Sequence, residues 1–484
     1  MPNPERTALK GGPTIPRVVC GLWQVADIEK DGATIDPEAG ADALEAYVRE
    51  GFDTFDMADH YGSAEIIAGR LIARGRGGTA LTKWCPPPGP MTPEIVRAGV
   101  RERLDRLGIS RIDLLQFHWW TFEHPAWLDA LHEMNRLREE GLIGAIGVTN
   151  FDAAHLAVAL ADGIPLATNQ VSFSLIDRRA AGPLSEFCTH TGMRLLAYGT
   201  LCGGFLSERW LGAPDPGEMP DWSRAKYRRF IDAAGGWQPF QGVLAAAAEI
   251  ARRHGVSLSN VATRWVLDHP AVAAVIVGAR ITEREHRADN ARLFSFALDA
   301  EDRERLAAAF AATKPIPGDC GDEYRRPPYL TASGDLSHHL DTIPSALTVT
   351  PVPGRPDRLR AASGSIWEPL AGYSRAVRVG DRISVAGTTA THGGSRCVAP
   401  GNPGAQTTYI LDKIAAALTA LGGSLEDVVR TRVYVRDARR WELVARAHGR
   451  VFADILPANT LVEVSALIGE YEVEIEAEAI VSGS

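Results

Sequence analysis

Hydrophobic and polar positions follow two alternating patterns between about residues 18 and 310. Short apolar runs are separated by segments whose apolar residues recur with the 3.6-residue period of a helix, such as PEIVRAGVRERLDRLG. Uninterrupted apolar runs are typical of strands that are buried on both faces of a parallel sheet. The runs that fit this description are, in chain order, VVCGLW, FDTFDM, TALTKW, IDLLQFHW, IGAIGVTN, LATNQV, RLLAYGT and AAVIVGA.

Eight strand–helix units in about 300 residues favour a (β/α)8 TIM barrel, an α/β fold in which parallel strands close into a cylinder. The alternative is an open doubly wound sheet, but no G-x-G-x-x-G motif follows the first apolar run. A long aromatic-rich segment, Ser207–Gln241, interrupts the pattern, and long loops in compact domains are commonly functional. We expect this segment to fold over the mouth of the barrel.

The pattern changes after about residue 345, where a smaller α+β arrangement begins. RAVRVGDRISVAGTTA is typical of a hairpin, and GAQTTYILDKIAAALTALGGS of an amphipathic helix that stops at two glycines. YEVEIEAEAIV is typical of a strand with one polar face. We predict a barrel over 1–312, a barrel C-terminal loop and linker over 313–349, and a second domain over 350–484.

Composition excludes several classes of function. The chain has 484 residues, 45% of them hydrophobic and 23% charged, as in ordinary globular proteins. A net charge of −9 argues against a nucleic-acid partner. The start lacks the apolar core of a signal peptide, and the longest apolar runs are about half of a membrane span, so we predict a cytoplasmic protein without a membrane partner. The six cysteines form no C-x-x-C pair, which predicts reduced thiols and no metal site.

Polar side chains lie at the ends of successive predicted strands. Asp56 and Tyr61 follow the second run, Lys83 the third and His118 the fourth. The carboxyl ends of parallel strands meet at one mouth of a barrel, where the active sites of this fold lie. Taken singly, each residue has a simpler structural explanation. Asp56 could cap a helix, Tyr61 could be a loop aromatic, Lys83 a surface lysine and His118 a core histidine. Four such groups in register favour a shared catalytic site.

Together these groups suit proton donation to an oxygen. A tyrosine hydroxyl is a weak acid with a pKa of about 10, and a neighbouring ammonium lowers the pKa of a phenol. Lys83 can supply that charge, Asp56 can hold Lys83 in place, and His118 can donate a hydrogen bond to a substrate oxygen. Such a set protonates an oxygen that gains charge as hydride reaches its carbon.

The same stretches resemble the aldo-keto reductase family from about residue 15 to 310. FDMADHYGSAE resembles the family's Asp-Thr-Ala-x-x-Tyr-Gly-x-x-Glu signature, with Met57 in the place of the threonine. TKW and FHWW match the contexts of the family's catalytic lysine and histidine. The resemblance implies a catalytic tetrad of Asp56, Tyr61, Lys83 and His118, in which Tyr61 is the acid.

The resemblance also implies a nicotinamide cofactor, through GAIGVTNF, AYGTL and VIVGARITEREHRADN. The residues expected to bind it are Thr149, Asn150, Gln170, Tyr198, Gly199, Leu201, Gly278, Arg280, Arg284 and Asn290. Arg280, with Arg284 as the second candidate, would meet the adenosine 2′-phosphate, which favours NADPH over NADH because a guanidinium matches phosphate geometry. We expect Trp23, Trp84 and Trp119 to line the substrate pocket.

The second domain resembles the reactive-intermediate deaminase (Rid, YjgF-like) family in AGY, ISVAGTTA, SLEDVVRTRVYVRD and PANTLVEVSALIGEYEVEIEAEAI. This implies a chorismate-mutase-like fold, trimers with sites between subunits, and hydrolysis of imines and enamines. Tyr373 matches a pocket tyrosine, and Glu474 matches the water-activating glutamate, although Glu474 also fits plain strand alternation. Asn459 replaces the arginine that grips the substrate carboxylate, and an asparagine cannot form a charged bidentate pair.

We therefore expect an NADPH-dependent oxidoreductase that reduces a small carbonyl or imine-derived substrate and trimerises through its second domain. Two alternatives stay open. One is an imine or enamine hydrolase coupled to carbonyl reduction, and the other is a non-catalytic NADPH-binding scaffold.

Overall fold

The computed structural model of the chain describes residues 4–23, 35–279, 281, 286–325 and 338–481, without the side chains of Trp222 and His338. These residues contain a closed eight-stranded barrel, an open seven-stranded sheet and two short two-stranded ribbons. None of the helices in this part of the chain has the length and apolarity that crossing a lipid bilayer requires.

The barrel is preceded by one ribbon, formed by β1 (Arg6–Ala8) and β2 (Thr14–Pro16). The barrel strands are β3 (Val18–Gly21), β4 (Thr54–Asp56), β5 (Thr79–Trp84), β6 (Ile112–His118), β7 (Ile143–Thr149), β8 (Leu166–Ser172), β9 (Arg194–Tyr198) and β10 (Val272–Gly278). Neighbouring strands are parallel, and β10 closes the ring against β3. These are the eight apolar runs of the sequence, so the TIM-barrel prediction is confirmed.

Helices surround the barrel, and their ends follow local sequence signals. Asp36 accepts a hydrogen bond from the Ala39 amide at the start of the first helix, and Asp152 caps the fifth helix in the same way. The helices are α1 (Pro37–Arg49), α2 (Ala64–Ala73), α3 (Pro93–Leu107), α4 (Ala126–Glu139), α5 (Ala153–Ala161), α6 (Pro183–Thr191), α7 (Trp222–Ala233), α8 (Trp237–His254), α9 (Leu258–Leu267), α10 (Arg287–Arg292), α11 (Ala300–Phe310) and α12 (His338–Asp341).

The β1–β2 ribbon closes the amino end of the cylinder. Leu9 and Ile15 of this ribbon are buried against inward-facing strand residues, among them Leu114 and Ala145. Water is therefore excluded from the lower half of the barrel, and the open end is the carboxyl end of the strands.

The C-terminal region forms an α+β domain, as predicted. Its elements are β11 (Thr348–Val352), β12 (Arg355–Ala362), α13 (Trp367–Ala371), β13 (Ala376–Val379), β14 (Arg382–Thr389), β15 (Thr391–His392), β16 (Arg396–Cys397), α14 (Pro403–Ala420), β17 (Val428–Val435), α15 (Trp441–Phe452), β18 (Ala458–Glu463) and β19 (Val473–Ile480). The sheet order is β11-β12-β13-β14-β19-β17-β18, and β17–β18 is the parallel pair. In β19, Val473 and Ile475 are buried, whereas Glu474 and Glu476 lie on the opposite face.

The two regions pack against each other through α5 of the barrel and α14 of the C-terminal domain. Charged side chains from both sides meet across this contact. The contacts between basic and acidic side chains include His155–Asp412 (3.1 Å), His392–Asp129 (2.7 Å), Arg396–Asp162 (2.7 Å), Arg450–Asp319 (3.2 Å) and Arg450–Asp152 (3.6 Å).

Candidate active site

A cavity of about 620 Å³ opens at the carboxyl ends of the barrel strands. Asp56, Tyr61, Lys83 and His118 all line it, so the structure brings the four predicted catalytic residues together. Residues of the aromatic-rich segment that follows β9 also form part of its wall.

Asp56 and Lys83 form a buried ion pair at the ends of the neighbouring strands β4 and β5. The Lys83 Nζ lies 2.6 Å from the Asp56 Oδ2, and the two side chains are only 5% and 4% exposed. The other carboxylate oxygen, Oδ1, accepts hydrogen bonds from the side-chain amides of Gln170 (2.7 Å) and Gln116 (3.3 Å). A buried charge pair is held firmly only when its remaining hydrogen-bonding capacity is satisfied, and these two amides satisfy the second oxygen of Asp56.

Sequence reasoning missed Gln116. A signal for it existed, because Gln116 precedes His118 by two residues in β6 and side chains two apart share one face of a strand. If His118 points into the barrel, the side chain of Gln116 must point into it as well.

Tyr61 lies in the turn between β4 and α2. The centre of its ring is 5.0 Å from the Lys83 Nζ and 4.9 Å from the ring of Trp23, which it meets edge-on. Trp23 lines the cavity as well. The phenol and the ammonium are therefore neighbours in one partly enclosed space.

Burial favours the neutral form of the His118 imidazole. Burial holds the pKa of His118 well below its usual value, and the nearby charges of Arg325 and Lys226 lower it further. Its Nε2 is buried and has no hydrogen-bond partner among the described residues. In the tautomer that carries its proton on Nε2, a neutral ring can donate a hydrogen bond to a ligand oxygen.

Four side chains form a hydrogen-bonded chain along another wall of the cavity. Lys226 Nζ donates to the Tyr324 hydroxyl (2.5 Å), which lies 3.2 Å from the Tyr198 hydroxyl, which donates to Asn150 Oδ1 (2.9 Å). Burial raises the pKa of Tyr198 well above its usual value, so this hydroxyl stays protonated. Because each hydroxyl has one proton, the donors run in order from Lys226 to Asn150.

The segment that follows α11, up to Arg325, holds Tyr324 in this position. Arg325 donates to the backbone carbonyls of Trp119 (2.8 Å) and Asn150 (2.5 Å). Gly321 has a φ of 98°, and a Cβ there would lie 2.0 Å from the Asn150 carbonyl oxygen. A glycine is thus required for the segment to approach this strand end so closely.

The other residues predicted to bind a cofactor are in the same cavity wherever the structure describes them. Arg280 and Arg284 lie outside the described residues. The Thr149 hydroxyl, like His118 Nε2, is buried without a partner among the described residues, so two polar atoms are left for a ligand. The residues of this set that line the cavity are Thr149, Asn150, Gln170, Tyr198, Gly199, Leu201, Gly278 and Asn290. The set therefore fits an elongated nicotinamide dinucleotide.

Trp84 and Trp119 do not line this cavity, and their assignment to the substrate pocket was wrong. Trp119 is fully buried and stacks on the ring of Phe117 at 5.7 Å. Trp84 packs on α3, where a Cβ at Gly99 would lie 2.5 Å from its ring. Each tryptophan follows a residue that points inward, so strand alternation turns it toward the helices. Trp120, one position further along, lines the cavity instead.

In the C-terminal domain, Tyr373 and Glu474 both lie near Arg375. Arg375 donates to the Tyr373 hydroxyl (2.9 Å) and to the Gly387 carbonyl (2.7 Å). The Glu474 carboxylate occupies the space beside Gly387, where a Cβ would lie 2.0 Å from its Oε1. Burial raises the pKa of Glu474, and the neighbouring Glu476 adds to the shift.

Asn459 is not part of this cluster within one chain. Its side-chain amide donates to the Thr431 hydroxyl (2.9 Å), which in turn contacts His448 of α15 (3.0 Å). Asn459 therefore lies on the helix-covered face of the sheet, whereas Glu474 lies on the face opposite. The three predicted Rid-like residues do not meet in a single chain.

Comparison with known families identifies the barrel. Residues 17–310 match the model of the Aldo/keto reductase family, which is more than half of the chain. The chain belongs to the aldo/keto reductase family. Residues 365–481 match a second model, described as Endoribonuclease L-PSP, the Rid or YjgF family. This aldo/keto reductase is thus fused to a C-terminal Rid-like domain.

Individual relatives match parts of this chain. Flagellar radial spoke protein 5 of Chlamydomonas reinhardtii is 33% identical over 38% of this chain and 36% of its own length. The chloroplastic pyridoxal reductase of Arabidopsis thaliana is 28% identical over 46% of this chain and 65% of its own length. The chain therefore spans less than two thirds of these relatives. A glycerol dehydrogenase structure from Gluconobacter oxydans shares the barrel fold, with a TM-score of 0.55, 23% identity, and coverage of 65% of this chain and 97% of that one.

Proposed function

We propose that this aldo/keto reductase uses NADPH to reduce an aldehyde or a ketone, with Tyr61 as the proton donor. The observation that carries the proposal is the buried Asp56–Lys83 pair beside the Tyr61 ring, in one cavity with neutral His118. Groups aimed at the place where negative charge develops are the main source of catalytic power in such sites.

Each residue has one task in this proposal. When bound, NADPH supplies a hydride to the carbonyl carbon. Tyr61 gives its proton to the carbonyl oxygen, and the Lys83 ammonium stabilises the phenolate left behind. Asp56 fixes Lys83, and His118 donates a hydrogen bond that orients the carbonyl oxygen. The product is the alcohol, and the tyrosine regains its proton from solvent.

The cofactor would lie along the wall from Thr149 to Asn290. Asn150 uses its Oδ1 for Tyr198, so its amide nitrogen remains for the nicotinamide carboxamide. The Tyr198 ring would stack on the nicotinamide. Arg209 lines the cavity and offers a guanidinium to a phosphate. The preference for NADPH over NADH rests on Arg280 and Arg284 as partners of the 2′-phosphate.

The test is Tyr61→Phe, measured in the full chain. We expect kcat to fall by about 100-fold or more, because a general acid typically contributes that much. NADPH affinity, followed by fluorescence titration, should stay at the wild-type value because the hydroxyl is not needed for cofactor binding. Wild-type turnover in this variant would refute the assignment.

We also propose that the Rid-like domain assembles the chain into a trimer. In the described part of the chain, α14 packs against β14 and β19 on the face that carries the buried side chains of β19. Glu474 and Glu476 lie on the other face, where we expect a second subunit to pack. The separation of Asn459 from Glu474 also fits a site shared between subunits. Light scattering of the full chain and of a chain lacking 346–484 tests this: two monomers would refute it.

A second candidate activity is hydrolysis of an imine or enamine by the C-terminal domain. The observation that favours it is the raised pKa of Glu474 next to Tyr373 and Arg375, because a carboxylate with a raised pKa is a better proton acceptor. Ammonia release from a model imine without NADPH, lost in Glu474→Gln, would support this activity. No release by the wild type would exclude it for that substrate class.

A further inference from the structure

We propose that Lys226 binds a carboxylate on the substrate, so that the cavity favours aldehydes and ketones that carry an acid group. This inference rests on the reductase function proposed above and names its substrate class. It comes from a side chain that the hydride and proton steps do not use.

Lys226 is a buried lysine in α7 whose ammonium is surrounded by aromatic rings. The centres of these rings lie 4.6 Å (Tyr324), 5.0 Å (Tyr198), 5.8 Å (Tyr227) and 6.0 Å (Phe230) from the Nζ. The ammonium donates one hydrogen bond, to the Tyr324 hydroxyl. An ammonium has three donors, so two are left without a partner among the described residues and are available to a ligand.

The charge of Lys226 has no ion-pair partner in the described part of the chain. The neighbouring acids Asp177 and Glu323 each pair with Arg179 at 2.8 Å. Burying a cation without a counter-charge is costly, and ring faces offset only part of that cost. An arriving anion removes the remaining cost, so this environment favours a ligand with a negative group.

The position of Lys226 points to the substrate as the source of that group. The Tyr324 ring lies 5.3 Å from the His118 ring, and the Lys226 Nζ lies 4.6 Å from the Tyr324 ring. The ammonium therefore stands one side chain away from the imidazole that faces the carbonyl oxygen. A short molecule with a carbonyl at one end and a carboxylate at the other can reach both groups.

The cofactor phosphates have another cation nearer to their expected path. Arg209 lies in a turn whose Glu208 carboxylate accepts a hydrogen bond from the Leu258 amide at the start of α9 (2.6 Å). The same helix is hydrogen-bonded to α10, which carries Asn290 at the adenosine end. Arg209 thus stands on the cofactor side of the cavity, and Lys226 on the substrate side.

The test compares 4-oxobutanoate with butanal, which share a four-carbon chain and differ in the carboxylate. Lys226→Met removes the charge at nearly constant length, Lys226→Arg keeps it, and Lys10→Met is the matched control at the closed end of the barrel. We expect Lys226→Met to lower kcat/KM for 4-oxobutanoate about 30-fold more than for butanal, the scale of losing a buried charge pair. Lys226→Arg should recover most of this loss, and Lys10→Met should show none.

Fluorescence titration with NADPH shows whether Lys226 binds the substrate carboxylate or a phosphate of the cofactor. An equal loss for both aldehydes, or a weakened NADPH complex in Lys226→Met, would overturn the inference while leaving the reductase function intact. If the wild type reduces neither aldehyde nor any other carbonyl, the proposed function itself fails. If Lys226→Met does not fold, the wild type decides: a clear preference for 4-oxobutanoate that weakens with added salt supports the inference, and no preference overturns it.

Discussion

The mouth of the barrel and the C-terminal sheet both carry acids, cations and a tyrosine, but they arrange them differently. At the mouth, Asp56 and Lys83 come from adjacent strand ends, are almost fully buried and point into one cavity. In the C-terminal sheet, Glu474 and Asn459 lie on opposite faces. A closed barrel collects the ends of its strands at one place, whereas an open sheet can place neighbouring residues on two unrelated surfaces. Complete sites within one chain are therefore expected in the barrel and shared sites in the C-terminal domain.

The sharpest way to test this difference is to remove a charge from each region. Lys83→Met leaves the Asp56 carboxylate buried without its cation, which typically costs about 3–5 kcal/mol of stability. We expect a large fall in the melting temperature and a loss of kcat of about 100-fold or more. Thermal unfolding and steady-state kinetics measure the two effects.

The corresponding change in the C-terminal domain is Arg446→Met, which, like Lys83→Met, removes the cation of an ion pair. Arg446 pairs with Glu442 on α15, but both side chains are mostly exposed, at 77% and 61%. Solvent screens such pairs, so we expect neither the melting temperature nor kcat to change measurably. Similar losses in the two variants would contradict the comparison.

A smaller effect is expected at Lys413, a partly buried cation of the C-terminal domain that forms no ion pair with an acid among the described residues. It donates to the Thr389 and Thr391 carbonyls, and burial, helped by Arg375, lowers the pKa of Lys413 to about 7. Below that pH the cost of burying its charge is fully present. Above it, up to the ordinary value of 10.5, the unfolded chain binds more protons than the folded one, so stability rises with pH.

Comparison with Lys413→Met isolates the part of the pH-dependent stability that is due to Lys413. From pH 7 to 10, the wild type should gain stability relative to the variant by up to about 1.4 kcal/mol per pH unit. Calorimetric unfolding of the two full chains measures the gain. A constant difference over this range would show that Lys413 keeps its ordinary pKa.

The smallest effect concerns the contact between the two regions. Burial by itself would lower the pKa of His155, but the carboxylates of Asp152 and Asp412 outweigh burial and raise it. Protonated His155 therefore stabilises the folded chain fully at pH values below its pKa in the unfolded chain, about 6.5. This stabilisation is lost as the pH rises through the higher pKa that His155 has in the folded chain. Asp412→Asn should lower the melting temperature more at pH 6 than at pH 9, by about 2 °C. An equal loss at both pH values would mean that His155 does not take part.

Local patterns predicted much of this structure. The eight apolar runs are the eight barrel strands, and the residues at their ends meet because parallel strands share one mouth. Trp84 and Trp119, which follow Lys83 and His118, were wrongly assigned to the substrate pocket because successive side chains along a strand point to opposite faces. Lys226 and Tyr324 could not be placed, because they lie 98 residues apart in sequence and meet only through the tertiary packing of α7 and the segment after α11. The His155–Asp412 pair is equally invisible, since it depends on how two domains pack.

The most direct test of the account is a head-to-head assay of Tyr61→Phe and Glu474→Gln in the full chain. Both variants remove one proton-transfer group, one from the barrel cavity and one from the C-terminal sheet. NADPH oxidation with an aldehyde should fall by about 100-fold or more in Tyr61→Phe and stay at the wild-type rate in Glu474→Gln. The reverse result would contradict the claim that reduction takes place at the mouth of the barrel.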